Sequence, residues 1–366
     1  MSNAKLKFIV VLGSVVFTLL AAEVGVRIRD AVVGVGFFSN HRNQIRNAKL
    51  IVPFLTFGFP LYVEKDGERF ISSVHKELYP LRKAPGTIRI VTFGGSTTAN
   101  NEVMEKHGTH YPLLLQTKLR EHFARNNIEV INVGNPAYAT PHCLILLSIQ
   151  VLSWEPDIVI LSENANDLTA AYFPGITFDY ANKYSHGAYT LANLSSRHSL
   201  SNILLQHFQL YWLTKKRLQN LEYKYDSRYR IQRVSYGDQP PSGAHAAYKR
   251  NLHSFVTLAK KNGVQVILGT QPLEESEEYF RLHMGFKPYN NVVKYPLHSE
   301  FIAHHKTYNQ TIREVAKEES VYLADNDTVF NNNRAWFVDF AHYTLEGANR
   351  LAENYARVLI DYRLVQ

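Results

Sequence analysis

The fold is decided by residues 88–98, which read Ile-Arg-Ile-Val-Thr-Phe-Gly-Gly-Ser-Thr-Thr. The first six residues form a short, mostly apolar run, which is typical of a strand buried on both faces of a sheet. Gly94 and Gly95 permit a tight turn directly after this run, and Ser96 opens the segment that follows. The stretch therefore predicts a buried strand that places a serine hydroxyl at its carboxyl end.

The same alternation of apolar run and amphipathic segment recurs along the chain. Further strands are predicted at 130–133, 157–161, 264–268 and 321–323, and helices at 111–123, 144–154, 252–261, 312–319 and 345–359. Strands that alternate with helices indicate a parallel sheet covered on both faces. We therefore predict an α/β fold, a three-layer α/β/α arrangement around a central, mainly five-stranded parallel sheet of flavodoxin-like form. In such a sheet the ligand site lies beyond the carboxyl ends of the strands.

The N-terminal segment has the composition of a membrane anchor. Residues 8–22 are an apolar run that follows two lysines and resumes after Glu23, so the stretch approaches the roughly 20 residues that cross a bilayer. A cleaved signal segment is the alternative, although Leu19 and Leu20 leave no good small-residue cleavage site. Lys5 and Lys7 predict a cytoplasmic N-terminus, and hence a single-pass protein of the bacterial inner membrane with its catalytic domain periplasmic or otherwise extracytoplasmic. Glu23 is interpreted as a carboxylate at the membrane interface or a contact with another membrane protein.

Three segments follow from this pattern: a membrane anchor or signal segment (1–29), an irregular stalk and lead-in (30–86), and a catalytic domain (87–366). The strand–helix rhythm breaks at about 171–245, which we interpret as an insertion with its own helices that caps the site. It carries a basic cluster, which is either a solvated helical face or a contact with anionic lipid. The cluster comprises Lys215, Lys216, Arg217, Lys224, Arg228, Arg230 and Arg233.

Composition narrows the function classes. The chain has 366 residues, is 45% hydrophobic and carries a net charge of +8. The sequence contains no nucleic-acid-binding motif, so the basic balance points to anionic membranes or acidic polymers and not to nucleic acid. With Cys143 as the single cysteine, no intrachain disulfide can form, and this thiol is expected to be an inert core residue.

Chemically capable residues recur where predicted strands end. Ser96 is a potential nucleophile, and Asp339 and His342 in the loop before the last helix form an Asp-x-x-His pair suited to accept its proton. Asn166 follows the third strand and could donate to an oxyanion, as could backbone N–H groups in the turn after the second strand, residues 132–138. Each motif is weak alone, but four of them in this order at strand ends point to acyl chemistry.

On these residues the sequence resembles the SGNH hydrolases, or GDSL-like lipases and acylhydrolases, in a membrane-anchored form. The family's Gly-Asp-Ser block matches Gly94 to Ser96, with Gly95 in place of the aspartate. Its Gly-x-Asn-Asp block matches Asn164 to Asp167, with Asn164 in place of the glycine, and its Asp-x-x-His block is unchanged. The oxyanion glycine of the second block falls on Ala137, where a positive φ would disfavour a side chain.

The resemblance implies that Ser96, His342 and Asp339 form a catalytic triad and that Ser96, Ala137 and Asn166 form an oxyanion hole. It implies no metal and no organic cofactor. Three functions stay open: a serine esterase acting on O-acyl, for instance O-acetyl, esters of an envelope glycan or lipid; an O-acyltransferase that modifies an extracytoplasmic polysaccharide with a multi-spanning membrane acyltransferase as partner; and a degenerate domain with a structural or assembly role.

Overall fold

The computed structural model describes residues 3–32, 37, 50–52, 55–172, 180, 204, 207–214, 217–218, 242–280 and 296–365. The chain divides into two compact units, residues 1–51 with 188–231 and residues 52–187 with 232–366, and each is described by itself. The segment boundaries at 29, 86 and 171–245 stay predictions.

The larger unit is built around parallel strands. The described strands of the chain are β1 (Leu50–Val52), β2 (Leu55–Gly58), β3 (Tyr62–Lys65), β4 (Glu68–Ser72), β5 (Leu78–Pro80), β6 (Ile88–Gly94), β7 (Ile128–Asn132), β8 (Ile158–Ser162), β9 (Gln265–Gly269) and β10 (Tyr322–Ala324). The central sheet has five strands in the order β10-β9-β8-β6-β7, and all its pairings are parallel. The predicted fold class is confirmed.

Helices cover both faces of this sheet. The described α-helices are α1 (Asn3–Val32), α2 (Ser96–Ala99), α3 (Asn101–His107), α4 (Tyr111–Phe123), α5 (Thr140–Ile149), α6 (Ala165–Ala171), α7 (Ser242–Lys261), α8 (His298–Glu318), α9 (Asn326–Phe330) and α10 (Leu345–Asp361). Successive strand residues point to opposite faces, so Ile88 and Ile90 join one core cluster with α4 and α10. Phe93 points to the other face and packs edge-on against Phe255 of α7, with ring centroids 5.1 Å apart.

The strand order places a topological switch point between β6 and β8. The chain passes from β6 to its neighbour β7 on one side and then crosses to β8 on the other side. The two connections therefore leave a crevice at the carboxyl ends of β6 and β8, where ligands bind in open parallel sheets. Ser96 lies two residues after β6, and Asn166 lies four residues after β8.

Several predicted element boundaries differ from the structure. The helix predicted at 144–154 is α5 followed by a 3-10 turn, Val151–Trp154, and it begins early because Pro141 suits the first helical turn. The helices predicted at 252–261 and 312–319 are the ends of the longer α7 and α8. The ends of the remaining strands and of the last helix differ from the predictions by at most two residues.

The stretch predicted to be irregular contains an antiparallel sheet. Strands β3, β4 and β5 pair in that order between Tyr62 and Pro80. The hairpin turns at Asp66 and Gly67, which both have positive φ (53° and 78°), as a two-residue primed turn requires. The prediction missed this Asp-Gly signal because the flanking strands are only four and five residues long and half exposed.

In the smaller unit, α1 is the one described helix long and apolar enough to cross a membrane. Its Glu23 is buried and accepts hydrogen bonds from Arg27 Nε (2.8 Å) and from the backbone N–H groups of Gln209 (2.9 Å) and Leu210 (2.7 Å), at the start of the helical residues 209–214. Arg27 also donates to the carbonyl of His207 (3.0 Å). The contacts seen for Glu23 therefore lie within its own chain. Of the basic cluster, only Arg217 lies within the described residues, and it is exposed.

Candidate active site

The structure brings Ser96, His342 and Asp339 together. His342 Nδ1 lies 2.8 Å from Asp339 Oδ2 and 3.0 Å from Oδ1, and Nε2 lies 2.9 Å from Ser96 Oγ. The carboxylate assigns the imidazole proton to Nδ1, which leaves the Nε2 lone pair to accept from the serine hydroxyl. A hydroxyl in this arrangement can lose its proton to the imidazole as it attacks a carbonyl carbon.

Local hydrogen bonds fix the backbone of the loop that carries Asp339 and His342. Asp339 Oδ1 accepts from the backbone N–H of Ala341 (2.8 Å) and of His342 (2.9 Å), so the carboxylate closes the loop on itself. Phe337 and Tyr343 form an antiparallel bridge around it, and Thr344 caps the first turn of α10. The Asp-x-x-His spacing thus places both side chains on one side of a short closed loop, ahead of a rigid helix.

The serine sits at the start of the short helix α2. The N–H of Ala99 bonds to the carbonyl of Gly95 (3.0 Å), and Asn132 Nδ2 at the end of β7 donates to the carbonyl of Thr98 (3.0 Å). Ser96 itself is half-buried. Neighbouring strand ends therefore fix the backbone that carries the hydroxyl.

The presence of glycine at position 95 is explained by the lack of room for a side chain there. A Cβ atom at this position would overlap Asn166 Nδ2 and would lie 2.5 Å from Glu163 Oε2 and 3.1 Å from the carbonyl oxygen of Tyr138. Because real Cβ atoms do not approach that closely, no side chain fits unless one of these groups moves. The space that a side chain at position 95 would need is thus occupied by the amide of Asn166 and the carboxylate of Glu163.

Glu163 organises the segment that carries Asn166. It is 1% exposed, and its Oε1 accepts from the backbone N–H of Asn164 (3.1 Å) and of Asn166 (2.9 Å). Its Oε2 accepts from Asn166 Nδ2 at 3.3 Å. The amide of Asn166 therefore lies against the Gly95–Ser96 turn with a defined orientation.

Ala137 adopts the positive-φ conformation that disfavours a residue with a side chain. Its φ is 70°, in the left-handed region that disfavours a side chain by roughly 1 kcal/mol or more. The Tyr138 N–H bonds to the Asn135 carbonyl at 2.9 Å, so residues 135–138 form a turn with Pro136 at its second position and Ala137 at its third. A type II turn favours this pattern, with glycine usual at the third position.

The first and last residues of the Asn164–Asp167 block have structural partners. Asn164 is fully buried, and its Nδ2 donates to Asn309 Oδ1 (2.9 Å) and to the His305 carbonyl (3.2 Å), both on α8. Asp167 accepts from Thr140 N (2.9 Å) and Thr140 Oγ1 (2.6 Å), which ties α6 to the start of α5. Both side chains therefore join elements of the fold behind the site.

Sequence reasoning missed three polar residues around the site. Glu163 lies behind Asn166, as described above. Gln271, two residues past β9, accepts from the N–H of Asn164 and donates to Thr97 Oγ1 at 3.1 Å. Glu102 on α3 has its Oε1 3.7 Å from His342 Nε2. Glu163 and Gln271 could have been recognised as candidate site residues because each follows a predicted strand. No sequence signal marks Glu102.

One ionisable group, His75, contacts the end of α2, and a second, Glu77, lies two residues further along the chain. His75 Nε2 lies 2.5 Å from the carbonyl oxygen of Ala99, and burial lowers the pKa of His75. Burial alone would raise the pKa of Glu77, but hydrogen bonds from His110 and Ser73 outweigh it and bring this pKa to about 2.

Within the described residues, no group of three or more His, Cys, Asp or Glu side chains could hold a metal ion. Cys143 is buried, and burial raises the pKa of its thiol well above the usual range.

The parallel sheet thus brings a serine, a histidine and a carboxylate together at its switch point, an arrangement that serine hydrolases use. The family model of the GDSL-like lipases and acylhydrolases matches residues 92–350, which is most of the chain. The chain therefore belongs to the GDSL-like lipase/acylhydrolase family and is, by class, an SGNH-type esterase.

Two solved structures are similar to it at low identity. LAE5, an α/β hydrolase enzyme from the metagenome of Lake Arreo in Spain, is 16% identical, with 76% of this chain and 96% of that chain covered and a TM-score of 0.43. Axe2, an acetylxylan esterase from Geobacillus stearothermophilus, is 16% identical, with 74% and 94% covered and a TM-score of 0.44. No curated protein matches the chain.

Proposed function

We propose that the protein is a serine esterase of O-acyl esters, with Ser96 as nucleophile, His342 as general base and acid, and Asp339 as the group that orients the imidazole. The observation that carries the proposal is the continuous chain of contacts from Ser96 Oγ to His342 Nε2 (2.9 Å) and from Nδ1 to Asp339 (2.8 Å). Such a chain activates a hydroxyl that is unreactive on its own. No cofactor enters the proposed reaction.

The proposed reaction has two halves. Ser96 Oγ attacks the acyl carbon while its proton passes to His342 Nε2, and the same proton then leaves with the alcohol as the carbon–oxygen bond breaks. Water next attacks the acyl-enzyme, gives its proton to His342, and releases the acid as the proton returns to Ser96. Asp339 stays ionised and stabilises the imidazolium formed in each half.

The proposed oxyanion hole consists of the backbone N–H groups of Ser96 and Ala137 and the amide of Asn166. The close approach of Asn166 Nδ2 to Gly95 supports its place beside the nucleophile. The turn that holds Ala137 at positive φ also packs on this glycine through the carbonyl of Tyr138. Donors fixed before the reaction are effective because they need no reorganisation as charge develops.

We further propose that α1 is an uncleaved anchor. Lys7 and Arg27 are twenty residues apart, which is about 30 Å along a helix and matches the hydrocarbon thickness of a bilayer. Glu23 then lies about 6 Å inside that boundary, where an unpaired carboxylate would be costly. Its bonds to Arg27 and to two backbone N–H groups offset that cost. The helix also continues without a break through Ala21 and Ala22.

An anchor confines the active site to the membrane surface, so the proposed substrates are O-acyl, for instance O-acetyl, esters of an envelope glycan or lipid. The proposed location is the bacterial inner membrane, with the domain periplasmic. The same confinement favours a second candidate function, acyl transfer to an extracytoplasmic polysaccharide with a membrane-bound acyltransferase as donor. The bonds of Glu23 within its own chain remove one reason to expect such a partner. The intact geometry of Ser96, His342 and Asp339 argues against a degenerate structural domain.

The test uses the full-length chain in detergent with p-nitrophenyl acetate and longer acyl esters. We expect Ser96→Ala to lower turnover by several orders of magnitude, because members of a triad act as a unit. Ser148→Ala is the matched control, since this exposed hydroxyl bonds only to a helix carbonyl in the described part of the chain. Equal rates for wild type and Ser96→Ala would rule out the proposed function.

A further inference from the structure

Glu102 is a second carboxylate beside the histidine, on the side opposite to Asp339. It lies in the first turn of α3, and its Oε1 is 3.7 Å from His342 Nε2. That distance is too long for a hydrogen bond, and Nε2 already has the Ser96 hydroxyl at 2.9 Å. Glu102 therefore does not orient the imidazole as Asp339 does.

The second oxygen of Glu102 is unsatisfied. Its Oε2 is buried and has no hydrogen-bond partner among the residues that the structure describes. Because Oε2 is enclosed, a molecule in the site can reach this carboxylate only through Oε1, the oxygen nearer the imidazole. A hydroxyl-bearing molecule in front of Ser96 would therefore donate to Oε1.

We propose that Glu102 and His342 together form a subsite for the attacking nucleophile, which takes water or a vicinal diol such as two neighbouring hydroxyls of a sugar. An oxygen can lie about 2.8 Å from both Nε2 and Oε1, since these atoms are only 3.7 Å apart. Acylation removes the hydroxyl proton of Ser96, so Nε2 then accepts from that oxygen. The inference rests on the proposed esterase function and deepens it.

The number of O–H groups decides which nucleophiles fit. Water has two, so it can give one proton to His342 as it attacks the acyl carbon and can donate the other hydrogen bond to Glu102. A simple alcohol has one, which must go to His342, so Glu102 stays unpaired. A vicinal diol attacks through one hydroxyl and satisfies Glu102 with the other. In every case the bond from the acyl carbon to Ser96 Oγ breaks and the proton on His342 returns to that oxygen.

The subsite therefore sets the balance between hydrolysis and transfer. A hydrogen bond to a charged group that is about a third exposed should give a preference of about tenfold. Wild-type enzyme should select against lone alcohols by that factor and should accept diols. Loss of the carboxylate should remove the selection.

The experiment measures product partition. The full-length chain in detergent is given p-nitrophenyl acetate with methanol or ethylene glycol at equal hydroxyl concentration, and acetate, methyl acetate and glycol monoacetate are measured by NMR. We expect wild type to acetylate glycol at least about tenfold more than methanol per hydroxyl. In Glu102→Ala this ratio should fall to about one, and the yield of methyl acetate relative to acetate should rise about tenfold.

The matched control is Glu105→Ala, an exposed carboxylate on the same helix, which should partition as wild type does. If Glu102→Ala does not fold, Glu102→Gln keeps the shape of the side chain, and its glycol-to-methanol ratio should fall between those expected for wild type and for the alanine variant. A wild-type ratio near one overturns the subsite. So does a variant that shifts the pH profile of p-nitrophenol release with unchanged partition, because Glu102 would then act on His342 directly.

The two proposals fail differently. If wild type releases p-nitrophenol no faster than Ser96→Ala, the serine chemistry is wrong and the nucleophile subsite falls with it. If Ser96-dependent release proceeds and Glu102→Ala leaves the partition unchanged, the esterase stands and only the subsite is refuted.

Discussion

Replacement of Gly95 by alanine tests how tightly the site is packed around its nucleophile. The added Cβ would overlap Asn166 Nδ2 and lie 2.5 Å from Glu163 Oε2. Glu163 is 1% exposed and holds two backbone N–H groups, so it cannot retreat without breaking both bonds. Asn166 is half-buried, and its amide bonds to Glu163 at the longer distance of 3.3 Å, so we expect this amide to be displaced from the turn.

Two quantities should change in Gly95→Ala. Overpacking of this kind costs about 1–3 kcal/mol of unfolding free energy. Displacement of one oxyanion donor lowers acylation by about 10²- to 10³-fold. We expect both, measured by urea denaturation and by the burst of p-nitrophenol from p-nitrophenyl acetate.

A double-mutant cycle identifies the route of the effect. If Gly95→Ala acts through Asn166, then Gly95→Ala combined with Asn166→Ala should lose little more acylation rate than Asn166→Ala alone. Losses that multiply would mean that the glycine acts by another path. A Gly95→Ala enzyme with wild-type kcat/KM would refute the packing argument altogether.

Four further predictions follow from the same structure. Asn166→Ala should lower the acylation rate about 10²- to 10³-fold with little change in unfolding free energy, and wild-type rates on an activated ester would make it a turn residue only. His342→Ala should lower turnover of p-nitrophenyl acetate by several orders of magnitude, and the double variant with Ser96→Ala should be no slower than either single variant. Burial lowers the pKa of His305 to about 3, whereas a histidine in the unfolded chain titrates near 6.5. As the pH falls, the unfolded chain therefore takes up the proton first. The unfolding free energy should fall as the pH drops from about 6.5 towards 3. Urea denaturation across that range should show a shallower pH dependence in His305→Gln, and an equal slope would count against burial as the cause. N-terminal sequencing of the membrane-extracted protein should find the chain uncleaved, and a start near Glu23 would replace the anchor with a signal segment.

The sequence alone was sufficient for the fold class and for the candidate triad, because both depend on local patterns. The apolar composition of short runs such as 88–93 indicates strands that are buried on both faces. Their alternation with amphipathic helices implies that the strands pair in parallel. Since parallel strands end at one edge, residues that follow strands can be expected to meet there. Asp339 and His342 lie three positions apart in one loop, so their contact needs no knowledge of the rest of the chain.

Only the tertiary structure decided the contacts that join distant residues. The space beside Gly95 is filled by Asn166 and Glu163, and the carboxylate of Glu102 lies beside a histidine 240 positions later, so neither contact is marked by any local pattern. Glu23 likewise bonds to residue 209 across 186 positions. Local periodicity specifies which face of an element is buried, whereas the position of one polar side chain against another depends on how whole elements pack. That packing is a property of the assembled core, and it determines here which carboxylates face the nucleophile.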